Sequence, residues 1–240
     1  MHPEIGDFMD SMMEAEAFDV TARDGKSGGG YCTTFDKFRQ PFIFANFNGS
    51  SGDVDVVTHE FGHALAMNYV FDHGDPEVAI GSSETAETHS MSMEFFSWKF
   101  MDKFFKDVDR YHYTHLSGAL TFIPYGVIVD EFQHIVYGNP DMTPAERNQA
   151  YLDLEKKYRP YLDYAGLPYL GKGTRWQYQS HIYESPFYYI DYCLAQVVAF
   201  EFLAEMQKDY DGALKRYMDH CKRGGKYAFN KLVSLAGLRS

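Results

Sequence analysis

Cysteine is scarce in this chain of 240 residues, which contains only three. Cys32, Cys193 and Cys221 are far apart in the sequence and odd in number. A secreted protein stapled by disulfides usually has more cysteines, and an even number of them. The sequence therefore argues against a disulfide framework. It favours a reducing compartment, and the predicted location is cytoplasmic.

Basic residues are also in short supply, with 22 Lys and Arg against 34 Asp and Glu, so the formal net charge is −12. A nucleic-acid-binding surface needs a patch of positive charge to neutralise phosphates. An anionic membrane surface attracts proteins by the same means. We therefore expect neither nucleic acid nor a membrane as a partner.

Long apolar segments are missing as well. The segment GALTFIPYGVIV is short and contains Pro124, and YIDYCLAQVVAFEFLAEM is interrupted by Asp191 and Glu201. The first ten residues, MHPEIGDFMD, are acidic and have no basic region followed by an apolar run, so we expect no signal peptide in them. The sequence predicts a soluble protein without a membrane span.

The residues that are present predict a mainly α fold. Hydrophobic residues make up 45% of the chain, which is enough for one sizeable core or two subdomains. YCTTF and PFIFANF predict short strands, and the turn NGSSGD follows them, with Asp53 as the predicted N-cap of the next helix. TPAE begins another helix with a capping box. Besides the helix after Asp53, the predicted helices cover about residues 3–18, 84–105, 120–137, 144–158, 186–207, 210–222 and 225–237.

The segment VVTHEFGHA carries the clearest chemical signal. His59 and His63 are four residues apart, so on a helix they share one face, with Cβ atoms about 5–6 Å apart. Glu60 is rotated by about 100° from His59 and would stand where a metal-bound water sits. This is the pattern of two zinc ligands and one general base. The alternative is a helix with two histidines that form only local hydrogen bonds, and a third ligand would decide between the two.

A catalytic zinc site usually has three protein ligands and one open position. The candidates after His63 are Asp72, His73, Asp75, Glu77, Glu84, Glu87, His89 and Glu94. The first four lie in a loop close behind the motif, which cannot easily fold back. Glu87 and Glu94 share a face of the next helix, so Glu87 could bind the metal while Glu94 supports a ligand. Glu84 fits a solvated acidic helix start, and spacing alone does not separate it from Glu87.

Taken together, THEFGHA and ETHSMSMEFFSW resemble the oligoendopeptidase F branch of the thimet oligopeptidase family. The likeness continues in GGGYCT, PFIFANFNG, PYGVIVDEFQH and HIYESPFYYIDYCLAQ, and so covers essentially the whole chain. It implies a zincin-like helical catalytic domain over residues 1–240, with a small β element before the metal-binding helix. It also implies a zinc-dependent endopeptidase acting on short peptides, with one zinc per chain held by His59, His63 and Glu87, and with Glu60 as general base.

The segment HIYESPFYYIDY is rich in tyrosine, and an aromatic helix packed in the core would explain it. The family, however, uses a histidine and tyrosines from this region to stabilise the oxyanion that forms during peptide hydrolysis. The resemblance places that histidine at His181. Tyr188 and Tyr192, which would be i and i+4 on one helix face, are the predicted tyrosines. Tyr189 is the alternative oxyanion donor, and Tyr183 is the fourth tyrosine of this segment.

The resemblance also raises a question of length. Members of the family are much longer and have a large helical lobe before the metal motif, whereas only 58 residues precede His59 here. We therefore expect a catalytic core without that lobe and without the extreme C-terminus, and self-association through an uncovered cleft face. An incomplete, non-catalytic metal- or peptide-binding domain is the alternative. PFIFANFNG is predicted either as an edge strand that pairs with substrate or as an ordinary packed strand.

Overall fold

The structure is a computed structural model and describes residues 1–71, 73, 81–164 and 166–239. In chain order its elements are α1 (Pro3–Glu14), β1 (Phe18–Thr21), β2 (Tyr31–Phe35), β3 (Gln40–Phe47), α2 (Ser51–Val70), α3 (Ser83–Phe96), α4 (Val108–Gly138), α5 (Pro144–Tyr158), α6 (His181–Glu184), α7 (Ile190–Met206), α8 (Tyr210–Arg223) and α9 (Phe229–Leu235), with short 3₁₀ turns between some of them. The chain forms two compact units, one built from Met1–His112 with Ala195–Ser240 and the other from Tyr113–Leu194.

The small sheet of the first unit has the strand order β1-β3-β2. β1 runs parallel to β3, and β2 runs antiparallel to it with Cys32 opposite Ile43. The prediction of PFIFANFNG as an edge strand is therefore wrong, because β3 is central and both of its sides are paired. The outer strands of this sheet are β1 and β2.

A tight turn joins β3 to α2. Gly49 has a φ of +83°, a conformation that L side chains rarely adopt. The Asp53 carboxylate accepts hydrogen bonds from the backbone N–H groups of Asn48 and Gly49, at 3.0 and 2.7 Å. Asp53 is thus not the N-cap that the sequence predicts. Ser50 occupies that position. Asp53 lies in the first turn of α2, and its carboxylate stabilises the β3–α2 connection.

The core of the first unit lies between α2, α3, α8 and the sheet. Its buried side chains include Phe61 and Leu65 of α2, Phe96 of α3 and Tyr217 of α8, together with Ile43 of β3. Side chains that are nearly fully removed from water each contribute about 1.5–3 kcal/mol to stability. The helix that carries the histidine motif is therefore fixed by its apolar face, while its other face is left for polar chemistry.

The second unit has a separate aromatic core. Phe132 of α4 meets Tyr151 of α5 edge to face, with ring centroids 5.2 Å apart. Trp176 packs on the same Phe132 ring at 5.2 Å, and its indole N–H donates to Asn148 Oδ1 at 2.9 Å. Ile182 of α6 is buried in this core. The irregular segment before α6 is thereby anchored.

The prediction of a mainly helical fold with a small β element ahead of the motif helix is confirmed. None of the helices in the described ranges combines the length and the apolar character that crossing a membrane requires.

Candidate metal centre

The two histidines of the motif lie one turn apart on α2. The centroids of the His59 and His63 rings are 5.1 Å apart. Both side chains are partly buried, with 21% and 14% of their surface exposed. The hydrophobic face of α2 holds the helix in place, so the two imidazoles are presented together on its polar side.

Glu87 of α3 reaches both imidazoles. Its Oε2 atom lies 3.2 Å from His59 Nε2 and 3.4 Å from His63 Nε2. The carboxylate is buried, and the Ser90 hydroxyl donates a hydrogen bond of 2.9 Å to the same oxygen. One potential ligand atom from each of the three residues lies within 4.8 Å of the other two. In the described part of the chain, this group has the arrangement that could hold a metal ion.

The spacing of these atoms fits zinc. Zinc binds histidine nitrogen and carboxylate oxygen at about 2.0–2.2 Å in a tetrahedral arrangement, so two ligand atoms are about 3.3–3.6 Å apart. The observed separations of Glu87 Oε2 from the two nitrogens, 3.2 and 3.4 Å, are close to that range. Two imidazoles and one carboxylate also leave a fourth position open, as catalytic zinc sites do.

Neighbouring charges and hydrogen bonds shift the pKa values of His59 and Glu87. Burial lowers the pKa of His59, but hydrogen bonds to Glu87 and Glu94 outweigh it, so the pKa lies well above its ordinary value. Burial raises the pKa of Glu87, but the charge of His63 and the hydrogen bond of His59 outweigh it, so that pKa lies well below its ordinary value. Glu87 is therefore held as a carboxylate anion, the form in which it binds a cation.

Glu94 orients His59 from the far side of the ring. Its Oε1 atom is 2.7 Å from His59 Nδ1. A carboxylate in this position requires the proton of the neutral imidazole on Nδ1, which leaves a lone pair on Nε2. The geometry matches the supporting role that the shared helix face suggests for Glu94.

Glu60 stands beside this cluster and is 7% exposed. Burial raises the pKa of its carboxyl group and Glu87 adds to the effect, whereas His59 and His63 act in the opposite direction. The backbone of Cys32 on β2 also gives it a hydrogen bond. A buried carboxyl group with a raised pKa next to a candidate metal site has the properties of a general base.

Sequence reasoning missed Gly62, which lets α2 and α3 touch. A Cβ atom at this position would lie 2.5 Å from the backbone oxygen of His89 and 2.7 Å from Ser90 Cα. Both atoms follow closely after Glu87, so the absent side chain sets how near the carboxylate comes to the histidines. The available signal is a glycine inside a helix, which costs about 0.5–1 kcal/mol relative to alanine and therefore needs a packing reason.

Of the described ligand candidates, His73, Glu84 and His89 lie outside the candidate metal-binding group of His59, His63 and Glu87. Glu84 belongs to the first turn of α3. His89 turns instead to His220 of α8, with 3.0 Å between His89 Nε2 and His220 Nδ1. The other loop candidates, Asp72, Asp75 and Glu77, fall outside the described residues.

In the second unit, the predicted oxyanion residues form an aromatic group of their own. The His181 ring lies 6.0, 5.1 and 5.8 Å from the rings of Tyr188, Tyr189 and Tyr192, measured between centroids. Tyr189 is buried in the core, whereas Tyr188 and Tyr192 are partly exposed. Tyr183 is 55% exposed and packs near Trp176.

The expected helical relation between Tyr188 and Tyr192 is wrong. Tyr188 precedes α7, which begins at Ile190, and Phe187 beside it has a φ of +64°. A turn rather than a helix therefore carries Tyr188. The two rings are nevertheless 5.0 Å apart, so the pairing arises from the turn and not from i,i+4 spacing.

Two imidazoles one turn apart on a helix, a carboxylate from the next helix and a glutamate after the first histidine are typical of zinc-dependent peptidases. Comparison with known sequences agrees, because the sequence model of peptidase family M3 matches residues 2–240. The chain belongs to peptidase family M3. This confirms the resemblance to oligoendopeptidase F noted above.

Individual relatives support the assignment. Oligopeptidase PepF of Bacillus subtilis (strain 168) is 24% identical over 245 residues, which cover 98% of this chain and 35% of that protein. A solved structure of PZ peptidase A with an inhibitor is 50% identical with a TM-score of 0.97, and covers 100% of this chain and 43% of that one. An oligoendopeptidase F structure is 52% identical with a TM-score of 0.97, and covers 100% of this chain and 42% of that one. The chain thus spans well under half the length of these relatives.

Proposed function

We propose that this chain is the catalytic part of a zinc-dependent endopeptidase that hydrolyses short peptides. The observation that carries the proposal is the meeting of His59, His63 and Glu87 beside Glu60. Family membership and an oligopeptidase among the relatives support it. One zinc ion per chain, held by the two histidines and Glu87, belongs to the proposal. So does a cytoplasmic location, which the three free thiols support.

The proposed chemistry divides the work among a few residues. Zinc, when bound, would polarise the scissile carbonyl and lower the pKa of a water molecule. Glu60 takes the proton of the attacking water and passes it to the leaving amine. Its burial, which raises its pKa, suits a group that must hold this proton between the two steps. Glu94 keeps His59 in one orientation through the hydrogen bond to Nδ1.

His181, Tyr188 and Tyr192 are the proposed oxyanion donors. Attack on an amide turns the carbonyl oxygen into an anion, which neutral N–H and O–H donors stabilise when they are aimed at it in advance. These three side chains are grouped and partly exposed, which supports the choice. Tyr189 remains in reserve because its ring belongs to the core of the second unit.

An extended substrate would pair with β2. This strand is an outer strand of its sheet, and the backbone of Cys32 on it contacts Glu60. Main-chain pairing of this kind is indifferent to most side chains. We therefore expect short peptides of varied sequence to be accepted.

The proposal is tested by Glu60→Gln, which keeps the shape of the side chain but cannot accept a proton. Cleavage of a quenched fluorescent peptide should fall by on the order of 10²–10⁴, while zinc content measured by metal analysis stays near one per chain. Glu84→Gln is the matched control, because Glu84 lies on α3 outside the metal-binding group, and this variant should keep its activity.

The outcomes separate the two functions under consideration. Loss of zinc together with activity in Glu60→Gln would make Glu60 a structural residue. A wild-type chain that binds zinc but cleaves no peptide would favour the alternative, a non-catalytic metal- or peptide-binding domain. Retained activity in the variant would mean that another base operates.

A further inference from the structure

A chain of hydrogen bonds in the second unit ends on His181. The Tyr125 hydroxyl of α4 donates to Gln179 Oε1 at 2.7 Å. The other end of the same amide, Gln179 Nε2, lies 2.6 Å from His181 Nδ1. One glutamine side chain therefore connects a partly buried tyrosine to the histidine of the aromatic group.

The direction of this chain follows from the donors available. Two guanidinium groups face Tyr125, because the guanidinium carbons of Arg175 and Arg159 lie 5.2 and 5.5 Å from the centre of its ring. Arginine only donates hydrogen bonds, so neither group can accept the Tyr125 hydroxyl proton. The single hydroxyl proton of Tyr125 is then available for Gln179. This fixes the amide with its oxygen toward Tyr125 and its NH₂ group toward His181.

The protonation of His181 follows in turn. Two N–H groups cannot face each other at hydrogen-bond distance, so Nδ1 beside the amide NH₂ must be the nitrogen without a proton. The neutral imidazole then carries its proton on Nε2. An imidazolium, which has N–H on both nitrogens, is disfavoured by the same contact.

The segment that carries Gln179 is held firmly. Trp176, three residues earlier, is buried and bonded to Asn148 of α5. Tyr137 of α4 donates to the backbone oxygen of Ile182 at 2.7 Å, just after His181. Anchors on both sides reduce the freedom of the amide to rotate away.

We propose that Gln179, oriented by Tyr125, is a positioning residue that sets the tautomer of His181, with Nδ1 accepting and Nε2 carrying the proton. The inference rests on the proposed function, in which His181 is a neutral donor to the oxyanion. It adds that His181 donates through Nε2, because the Gln179 amide occupies Nδ1. A donor fixed before the reaction needs no rearrangement when charge develops.

The test is ¹⁵N NMR of the histidine side chains in the 240-residue chain, with the His181 signals assigned from His181→Asn. The wild type should show an Nε2–H tautomer at neutral pH. Gln179→Glu places carboxylate oxygens at both ends of the bridge, so the proton of the neutral His181 ring should move from Nε2 to Nδ1. Gln177→Glu is the matched control, because Gln177 is exposed and two residues away, and it should leave the signals unchanged.

Tyr125→Phe provides a second variant that keeps the ring and its packing. Without the hydroxyl the amide can turn over, and the His181 signals should report a mixture of tautomers. An Nδ1–H tautomer in the wild type, or unchanged signals in both Gln179→Glu and Tyr125→Phe, would overturn the inference.

Kinetics separate this inference from the proposed function. If His181 is an oxyanion donor, Gln179→Glu should lower kcat by about tenfold or more with little change in KM, since loss of one such donor costs about 10²–10³. A tautomer that shifts as expected with unchanged kcat would support the positioning role of Gln179 but remove His181 from the proposed mechanism. A lowered kcat with an Nδ1–H wild type would overturn the tautomer inference and leave the donor role standing.

Discussion

A single missing side chain, at Gly62, governs how closely the two helices of the candidate metal centre approach. Its Cα faces the backbone of His89 and Ser90, where no side-chain rotation can relieve a clash. Glu87 lies on the same turn of α3 and reaches His59 and His63 across this contact. The geometry of the candidate metal centre depends on this backbone contact as much as on the side chains of the candidate ligands.

We predict that Gly62→Ala destabilises the chain and weakens zinc binding. The new methyl group must push α3 away, and such overpacking typically costs about 1–3 kcal/mol of unfolding free energy. Displacing Glu87 should also lower zinc affinity on the order of tenfold or more, as loss of ligand support does. Urea unfolding and competition with a zinc chelator measure the two effects.

Gly118→Ala is the control for this prediction. Gly118 lies inside α4, and apart from the backbone of its own helix no heavy atom of the described residues lies within 4 Å of its Cβ position. Alanine should therefore stabilise the helix by about 0.5–1 kcal/mol and leave zinc affinity unchanged. A Gly62→Ala chain with unaltered zinc affinity would show that α3 can move without losing the site.

The buried pair of His89 and His220 gives a second prediction at the scale of residues. Burial lowers the pKa of His220 to about 4, and the charge of Arg223 adds to the effect. Burial is also the main cause that lowers the pKa of His89, and the charge of its neighbour His220 is the next largest cause. Both histidines are therefore neutral in the folded chain at pH values where the unfolded chain binds protons on them.

Stability should fall as the pH is lowered through the window set by His220. The unfolded pKa is about 6.5 and the folded pKa about 4, so the contribution is complete above pH 6.5 and is lost progressively down to pH 4. For this one group the difference amounts to about 3 kcal/mol. Urea unfolding at pH 7.5 and pH 4.5 should show a smaller change in His220→Asn than in the wild type, and equal changes would contradict the assignment.

Among the helices, α5 is where sequence and structure agree best. The predicted range of 144–158 is the observed Pro144–Tyr158, and the capping box is present. The Glu146 backbone N–H donates to Thr143 Oγ1, while the Thr143 N–H donates to Glu146 Oε2 at 2.7 Å. The Thr143 N–H and the Thr143 hydroxyl, which both donate to Glu146 Oε2, lower the pKa of Glu146. A cap built from four consecutive residues can be recognised locally, whatever the rest of the chain does.

We predict that Thr143→Ala lowers the free energy of unfolding by about 1 kcal/mol, within a range of about 0.5–2, because the first turn of α5 loses its cap. Chemical denaturation measures the loss. Thr121→Ala is the control, since Thr121 is exposed on α4 and, among the described residues, its hydroxyl donates only to carbonyl groups of its own helix. If both substitutions cost the same, the box does not stabilise α5.

Elements that depend on distant partners could not be predicted from local pattern. β1 has four residues and pairs in parallel with β3, where Phe18 lies opposite Ile43, 25 positions later in the sequence. α4 begins at Val108 rather than near 120, with the Asp107 side chain accepting from the Arg110 N–H at 3.0 Å. Its first turns are rich in His and Tyr, which have modest helix propensity. Tertiary packing therefore determines where this helix begins.

The candidate site also contains both residues that a local sequence pattern predicts and residues that depend on distant partners. His59, Glu60 and His63 are placed by one helical turn, which the sequence defines. Glu87 is singled out by the family resemblance, because helical spacing leaves Glu84 open. The partner of His89 lies 131 residues away, and no local pattern connects it to His220.

At the scale of the whole molecule, the chain spans 42–43% of the length of the two solved relatives described above. Exposed aromatic side chains lie on and just after β2, with Tyr31, Phe35 and Phe38 exposed by 49%, 50% and 75%. Soluble monomers rarely leave contiguous apolar patches of more than a few hundred Å² uncovered. We therefore expect this surface of the first unit to contact another protein surface.

We predict that the isolated chain self-associates and that its peptidase activity is weak. Sedimentation velocity should show mass increasing with concentration, and Phe35→Thr with Phe38→Ser should shift the population toward monomer. Tyr178→Ser, which removes a ring that is 95% exposed in the second unit, is the control and should change little. A stable monomer with robust turnover would show that residues 1–240 suffice for function.

The first unit is assembled from two stretches of chain, and this has a consequence for the newly made protein. The Tyr217 hydroxyl of α8 donates to the His89 carbonyl across a separation of 128 residues. At a synthesis rate of about 5–20 residues per second, roughly 6–26 s pass between the two. During that interval α2 and α3 leave the ribosome with the apolar face that will later pack on α8 uncovered. We expect the nascent chain to need a chaperone over this period, and its histidines and Glu87 to take up metal only after α8 has been made.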